Sequence, residues 1–205
     1  MLKGVHWLGH ASFRLDGSAT VYIDPWKLRS GHQPADVILI THDHHDHLSP
    51  EDIAKITKLD TVIVCPQVCV GNLRGDVRTI KPGETITIGD VRVKAVPAYN
   101  TSKPNHPKEA GHVGYVVQMD DRKVYHAGDT DVIPEMADIG CDVALLPVGG
   151  TYTMTAEEAI EALEMIHPEF AVPMHYGDVV GGADAAEAFR RGAPEGVEVV
   201  ILNKE

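Results

Sequence analysis

The sequence predicts an α/β fold in which two mixed sheets pack together between helical layers. Short runs of branched apolar residues alternate with segments that begin at helix-capping residues, so strands are mixed with helices along the chain. At 205 residues with 43% apolar content, the chain can bury a substantial core. We therefore expect one domain that spans residues 1–205.

The strands are predicted from short runs that are rich in valine and isoleucine. The run 36–41 is short, β-branched and apolar, which indicates a central strand buried on both faces. Residues 85–88 and 91–96 are predicted to form a hairpin around Gly89 and Asp90. The other predicted strands lie near residues 3–8, 11–15, 20–24, 61–65, 113–119, 122–126, 142–146, 170–174 and 197–202.

Helices are predicted where capping residues precede an apolar face. Ser49 and Pro50 supply an N-cap and a first-turn proline, in the order that begins a helix. Thr155 and Glu158 form a capping box before a second apolar face. The predicted helices lie near residues 50–58 and 67–73, after Thr155, and from Asp184 to Gly192.

The stretch Thr41-His-Asp-His-His-Asp-His47 places four histidines and two aspartates in six positions, directly after the apolar run. Imidazole nitrogens and carboxylate oxygens are ligands that divalent metals prefer. A histidine-rich tract of low complexity lacks an ordered strand before it and a capped helix after it, and this segment has both. The sequence therefore predicts a metal site at the end of a strand, where open α/β sheets usually carry their chemistry.

The segment His42-x-His44-x-Asp46-His47 resembles the HxHxDH signature of the metallo-β-lactamase superfamily. The opening segment 6–12 and the short length are similar to the branch of small metal-dependent hydrolases related to the ascorbate-lactone hydrolases. The resemblance covers essentially the whole chain and implies a four-layer αββα sandwich. Its later matches are Asp24 in the acidic loop before the signature, Asp129 as the bridging aspartate of Gly128-Asp-Thr130, and His175 as the last histidine.

The resemblance implies two divalent ions that share a water. Metal binding lowers the pKa of such a water toward about 7, which provides a metal-bound hydroxide for attack on a carbonyl or phosphoryl centre. Asp46 is also expected to orient that hydroxide as a catalytic residue. Zinc or manganese suits a nitrogen and oxygen ligand sphere, and iron is a further alternative. The implied ligands are His42, His44 and a third histidine for the first ion, Asp46, His47 and His175 for the second, and Asp129 between them.

The third histidine departs from the commonest pattern, since the strand before it ends in Tyr99 and Asn100. His106 and His112 are the two candidates. We prefer His106, because prolines at positions 104 and 107 restrict its loop and because the loop resembles one in close relatives. His112 is interpreted as a surface loop histidine beside the next strand. If neither histidine binds, a one-metal site follows.

Five residues are expected beside the metals or around the pocket. Asp24 is expected to orient a ligand histidine and not to bind a metal itself. A structural role explains His10 and His126 equally well. The five residues are His10, Asp24, Tyr99, His126 and Tyr152, whereas His6, His32, His45 and His167 are interpreted as surface or packing residues.

Composition narrows the function classes. With 30 acidic and 18 basic side chains, the formal charge of −12 opposes binding to nucleic acid. No signal sequence or apolar run of bilayer length is evident, so we expect a cytoplasmic protein without a membrane partner. The three scattered cysteines suit a reducing compartment.

A metal-dependent hydrolase of a small-molecule ester or lactone is the leading prediction. A phosphodiesterase acting on a nucleotide-like or phospholipid-like substrate, and a non-catalytic metal-binding protein, are the alternatives. The sequence is compatible with a monomer or a homo-oligomer.

Overall fold

The computed structural model describes residues 2–205 and contains two mixed sheets. The first sheet has six strands in the order β1 to β6, and the second has seven in the order β13 to β7. The first sheet comprises β1 Val5–Gly9, β2 Ser12–Asp16, β3 Thr20–Ile23, β4 Val37–Leu39, β5 Val62–Cys65 and β6 Asp76–Thr79. The second comprises β7 Thr85–Ile88, β8 Val91–Pro97, β9 Val113–Met119, β10 Arg122–His126, β11 Val143–Pro147, β12 Phe170–Met174 and β13 Glu198–Val199.

The two sheets are built alike. In each of them an antiparallel meander, β1 to β3 or β7 to β10, leads into a parallel run, β3 to β6 or β10 to β13. Parallel strands end at the same edge of a sheet, so the carboxyl ends within each parallel run lie side by side. Residues that follow these strands therefore lie at one edge of the molecule.

Helices cover both outer faces of the paired sheets. Helix α1, Pro50–Ile56, lies on the first sheet, because Ile38 of β4 packs with Ile53 of the helix. The neighbours of Ile38, Val37 and Leu39, point the opposite way into the core shared with the second sheet, as strand alternation requires. Helices α2, Ala156–Ile166, and α3, Ala183–Arg191, pack on each other, and α3 contacts β12 and β13. The predicted αββα sandwich is confirmed.

Four details of the predicted elements are wrong. Strand β6 was not predicted, because its side chains are mostly exposed and polar. The segment Gln67–Asn72 is a 3₁₀ helix, and β13 has two residues where six were expected. Helix α3 begins at Ala183 behind Gly182, before the expected Asp184. Among residues 2–205, no helix combines the length and apolar character needed to cross a bilayer.

Candidate metal centre

The predicted ligands follow the carboxyl ends of strands from both sheets. His42 to His47 follow β4, Asp129 follows β10, and His175 follows β12. The sheets are joined at this edge, because the backbone N–H of His175 donates to the carbonyl of His10 at 3.0 Å. The site is therefore assembled from parts of the chain that are distant in sequence.

One group of histidines comprises His42, His44 and His106. His42 Nε2 lies 3.1 Å from His44 Nδ1, and His106 Nε2 lies 3.2 Å from the same nitrogen. Two nitrogens that bind one zinc ion at about 2.0–2.1 Å lie roughly 3.3–3.4 Å apart at tetrahedral angles, close to the separations seen here. The three imidazoles can therefore hold one ion together.

A second group comprises His10, Asp46, His47 and His175, whose potential ligand atoms all lie within 4.8 Å of one another. His10 Nε2 lies 3.0 Å from Asp46 Oδ2, and His47 Nε2 lies 3.9 Å from the same oxygen. All four residues are buried. This group can hold a second ion, with His10 supporting Asp46 as expected for a residue beside the metal.

Asp129 lies between the two groups. One carboxylate oxygen, Oδ1, is 3.3 Å from His47 Nε2. The other, Oδ2, is 3.1 Å from His175 Nε2 and 3.4 Å from His106 Nε2. Gly128 allows this placement, because a Cβ at its φ of 66° would lie 2.8 Å from the carbonyl oxygen of Val113.

Burial and mutual charge set the electrostatics of the site. Burial lowers the pKa of His42 well below its usual range and that of His106 to about 4, which keeps both neutral. Burial alone would raise the pKa of Asp129, but His175 and His47 hold it well below its usual range. For His47, burial is outweighed by Asp129 and Asp24, which raise its pKa well above the usual value. The carboxylates thus favour a positive charge here, which a bound cation also provides.

Several buried polar atoms of the site have no hydrogen-bond partner among the described residues. They include His47 Nε2, His175 Nε2 and Asp129 Oδ1, which converge between the two groups. Unpaired buried polar atoms are rare in folded proteins and call for a bound partner. The donor set, imidazole nitrogens with carboxylates, fits divalent metal ions.

Asp24 lies behind His47 and does not face the pocket. His47 Nδ1 donates to Asp24 Oδ2 at 2.8 Å, and Thr41 donates to the same carboxylate through its backbone N–H and its hydroxyl at 2.8 Å and 2.6 Å. The carboxylate fixes the ring so that Nε2 is left for a metal, which is how such partners usually act.

Three residues of the site adopt the left-handed backbone conformation without being glycine. Their φ angles are 51° for His10, 47° for Asp24 and 58° for His175. Such conformations are stabilised only when the surrounding structure dictates them, and they cluster at functional sites. The strain here is confined to residues that turn the chain at strand ends.

Other expectations need correction. His126 does not bond to a metal-binding carboxylate, since its Nε2 donates to the carbonyl of Ala11 and its Nδ1 accepts from the N–H of Gly128. Tyr99 does not line the pocket, because its hydroxyl donates to Glu135. Both side chains form hydrogen bonds with residues distant in sequence, which sequence spacing does not show.

His112 is not a surface residue, because its side chain is 6% exposed and its ring centroid lies 5.0 Å from that of His42. It does not belong to the group formed by His42, His44 and His106. His112 Nε2 instead faces Asp43 at 3.6 Å. The turn at Gly111, with φ of 69°, brings the ring inward, and no motif in the sequence signals it.

A pocket of about 210 Å³ opens directly over the two groups. Tyr152 lines it, as the sequence predicts, and Val179 faces it from the loop after His175. Asn105 and His45 complete the wall beside the ligands. The ligand groups are therefore accessible to a small molecule.

Similarity to known proteins identifies the family of this chain. The model of the β-lactamase superfamily domain matches residues 4–175. This chain belongs to the metallo-β-lactamase superfamily. A UPF0173 metal-dependent hydrolase of Archaeoglobus fulgidus is 38% identical, and the alignment covers 97% of this chain and 95% of that protein.

Solved structures agree with this family. A crystal structure from Parabacteroides distasonis is 36% identical with a TM-score of 0.84, over 96% of this chain and 91% of that one. The metallo hydrolase Igni18 of Ignicoccus hospitalis is 24% identical and has the same fold, with a TM-score of 0.81 over 98% of this chain and 94% of that one. The prediction of a metal-dependent hydrolase is confirmed at the level of the enzyme class.

Two residues of the site were missed by sequence analysis, Asn100 and Asp131. The side chain of Asn100 holds His106, and Asp131 in turn holds Asn100. The only signal in the sequence is the position of Asp131, two residues after Asp129. The spacing of Asn100 and Asp131 matches no metal-ligand motif, so no sequence pattern identifies them as a pair.

Proposed function

We propose that this superfamily member is a dinuclear hydrolase of a small, uncharged ester or lactone. The observation that carries the proposal is the pair of ligand groups joined by Asp129 beneath an open pocket. Each group offers at least three nitrogen or oxygen donors, which is the number of protein ligands that a catalytic zinc ion commonly has. Zinc or manganese suits the donors best, and iron is also compatible with them.

His42, His44 and His106 would hold one ion, Asp46, His47 and His175 the other, and Asp129 would contact both. When bound, such ions act as Lewis acids that activate water near neutral pH and stabilise negative charge that develops on a substrate oxygen. The protein itself contributes the fixed arrangement of ligands, since most of them follow strand ends.

Asp46 is the residue we assign to the proton chemistry. It is 8% exposed and lines the pocket, and the bond with His10 fixes its Oδ2. Burial alone would raise the pKa of Asp46, but His10 and His47 hold the pKa well below its usual range, so the carboxylate is ionised. An ionised carboxylate at this position can accept a hydrogen bond from the attacking water and orient it.

The charges around the pocket favour an uncharged substrate over a phosphodiester. The basic side chains that flank the site are already paired: Lys103 with Asp131, and Lys27 with Asp178. Lys108, in the same loop as His106, pairs with Glu135 and also lies over the ring of Tyr99. Among the described residues that line the pocket there is no lysine or arginine, whereas Tyr152 and Val179 offer apolar surface.

The size of the pocket also limits the substrate. At about 210 Å³ it is smaller than the roughly 300–1,000 Å³ typical of sites for drug-sized ligands. A compact lactone or a short-chain ester suits such a volume better than a nucleotide does.

A panel of small lactones, esters, amides and phosphodiesters tests the proposal with protein loaded with zinc or manganese. We expect turnover of an ester or lactone, and loss of that turnover in Asp129→Ala. Asp121→Ala, which removes an exposed carboxylate from the turn between β9 and β10, is the control. Turnover confined to phosphodiesters would reject the proposed substrate class, and a metal-loaded protein without any turnover would favour a non-catalytic binding protein.

A further inference from the structure

His106 lies in the long loop between β8 and β9. The side chain of Asn100 holds it. Asn100 Oδ1 accepts from the backbone N–H of His106 at 3.0 Å and lies 2.9 Å from His106 Nδ1. Asn100 Nδ2 donates to the carbonyl of Tyr152 and to Asp131 Oδ1, each at 3.0 Å. Asn100 is 8% exposed, and its full hydrogen-bonding capacity is used inside the protein.

Asp131 supports the orientation of the Asn100 amide that the N–H of His106 and the carbonyl of Tyr152 also require. The carboxylate is 2% exposed and accepts from the backbone N–H of Thr101 at 2.9 Å and of Ser102 at 3.3 Å. Lys103 Nζ donates to its other oxygen at 2.5 Å. A carboxylate surrounded by these donors can only accept. The NH₂ end of Asn100 must therefore face Asp131, and its oxygen must face His106.

The orientation of Asn100 decides the tautomer of His106. An amide oxygen cannot donate, so the proton of the neutral imidazole must lie on Nδ1. Nε2 then keeps a free lone pair. This nitrogen lies 3.2 Å from His44 Nδ1 and 3.4 Å from Asp129 Oδ2, on the side where the ligand groups meet.

We propose that Asp131 and Asn100 are positioning residues that form a relay, in which the buried carboxylate orients the amide and the amide holds His106 in the tautomer that can bind metal. This inference deepens the proposed function and rests on its metal site. In the other ligand group a carboxylate, Asp24, contacts His47 directly. In the relay a neutral amide stands between the carboxylate and the histidine. The same amide also holds the carbonyl of Tyr152, so the relay joins the metal ligand to the pocket wall.

Nuclear magnetic resonance of the metal-free full chain, with ¹⁵N-labelled histidine, tests the tautomer without any variant and without a metal that would impose it. We expect His106 to carry its proton on Nδ1, with a proton signal protected from exchange by the bond to Asn100. A proton on Nε2 of His106 would overturn the inference. This readout is independent of turnover, so a chain with the expected tautomer that hydrolyses no ester or lactone would reject only the proposed substrate.

Variants test the relay through zinc affinity, measured by competition with a chelator. Loss of a residue behind a metal ligand typically weakens metal binding by about 10 to 100-fold, and we expect this for one of the two ions in Asp131→Asn. The matched control is Asp121→Asn, which removes the same charge from an exposed turn. It should bind zinc as the unmodified chain does.

The double variant Asn100→Asp with Asp131→Asn exchanges the amide and the carboxylate. It again places an acceptor next to His106 Nδ1 but leaves the carbonyl of Tyr152 without its donor, so we expect zinc binding tighter than in Asp131→Asn alone and weaker than in the unmodified chain. Unchanged affinity in Asp131→Asn, or a double variant that binds no better than this single variant, would contradict the relay. If Asp131→Asn does not fold, as thermal unfolding would show, the tautomer measurement on the unmodified chain decides.

Discussion

The two ligand groups are positioned by different parts of the fold. His47 is fully buried in the segment between β4 and α1 and donates to the buried carboxylate of Asp24. His106 lies in the loop between β8 and β9 and is held by the amide of Asn100. His44, which shares its group, is only half-buried. The group of His47 is fully buried, whereas the group of His106 includes a half-buried ligand and depends on the long loop between β8 and β9.

This difference predicts how rigid each ligand group is and how tightly it binds its ion. The group of Asp46, His47 and His175 is buried, and contacts with His10 and Asp24 hold it, so it should be rigid with or without metal. Loops open more readily than core strands do, which makes the His106 group the adaptable one. We therefore expect the ion held by His42, His44 and His106 to bind more weakly and to leave first.

The largest effect is expected from Asp129→Ala, because this carboxylate faces both groups. Its loss should remove hydrolysis and weaken the binding of at least one ion by more than about 100-fold, as expected for a direct ligand. Elemental analysis and turnover of the substrate identified in the panel measure both effects. Unchanged turnover would reject the bridging role and with it the link between the groups. Asp129→Asn is less decisive, because an amide oxygen can still coordinate a metal.

His106→Ala should remove, or bind more weakly, only the ion held by His42, His44 and His106. Direct ligands should matter at least as much as their supporting residues, so affinity at this site should fall by about 100-fold or more. His112→Ala is the matched control, because its ring packs on His42 outside the ligand groups. It should retain both ions. Loss of an ion in His112→Ala, with both ions kept in His106→Ala, would reverse the assignment.

Asp24→Ala is expected to weaken the ligand group of Asp46, His47 and His175. The change leaves His47 Nδ1 and the backbone N–H of Thr41 without their acceptor, and each buried donor left unpaired costs about 1–3 kcal/mol. Denaturant unfolding should show this loss, and zinc affinity should fall by about 10 to 100-fold. Asp60→Ala, at an exposed carboxylate, serves as the control. Equal stability of the two variants would show that Asp24 does not hold the group.

The smallest effect is expected at the pocket wall. The Tyr152 side chain lines the pocket and is 37% exposed, but only its backbone carbonyl takes part in the relay. Tyr152→Ala should therefore raise KM by about 10-fold, the effect of losing roughly 1.4 kcal/mol of substrate binding, with both ions retained. Steady-state kinetics and metal analysis separate the two properties. Loss of an ion in this variant would mean that the side chain supports the metal centre.

The same comparison shows what the sequence could predict. The strand-end ligands follow β-branched apolar runs, and those runs impose both the strand and the direction in which it ends, as in β4 before His42. Strand β6 lies at a sheet edge with mostly exposed polar side chains, so its pattern carries no apolar signal. The 3₁₀ segment from Gln67 is too short to show a helical period.

The loop residues were predicted less well for a physical reason. His106 was preferred over His112 because of its flanking prolines, but Asn100 and Asp131 have no spacing rule that connects them. Their contact depends on how the loop folds over the strand ends, at a sequence separation of 31 residues. His112 was misplaced on the surface because the turn at Gly111 that buries it depends on tertiary packing.

Metal content is the most direct test of the central claim that two unequal ligand groups share Asp129. Elemental analysis after extensive dialysis, followed by stepwise chelator competition, measures both the number of ions and the order in which they leave. We expect up to two ions per chain, with the ion that His106→Ala removes leaving first. Less than about one ion per chain, with no uptake of added zinc or manganese, would contradict the account, because a folded site of this composition binds such ions.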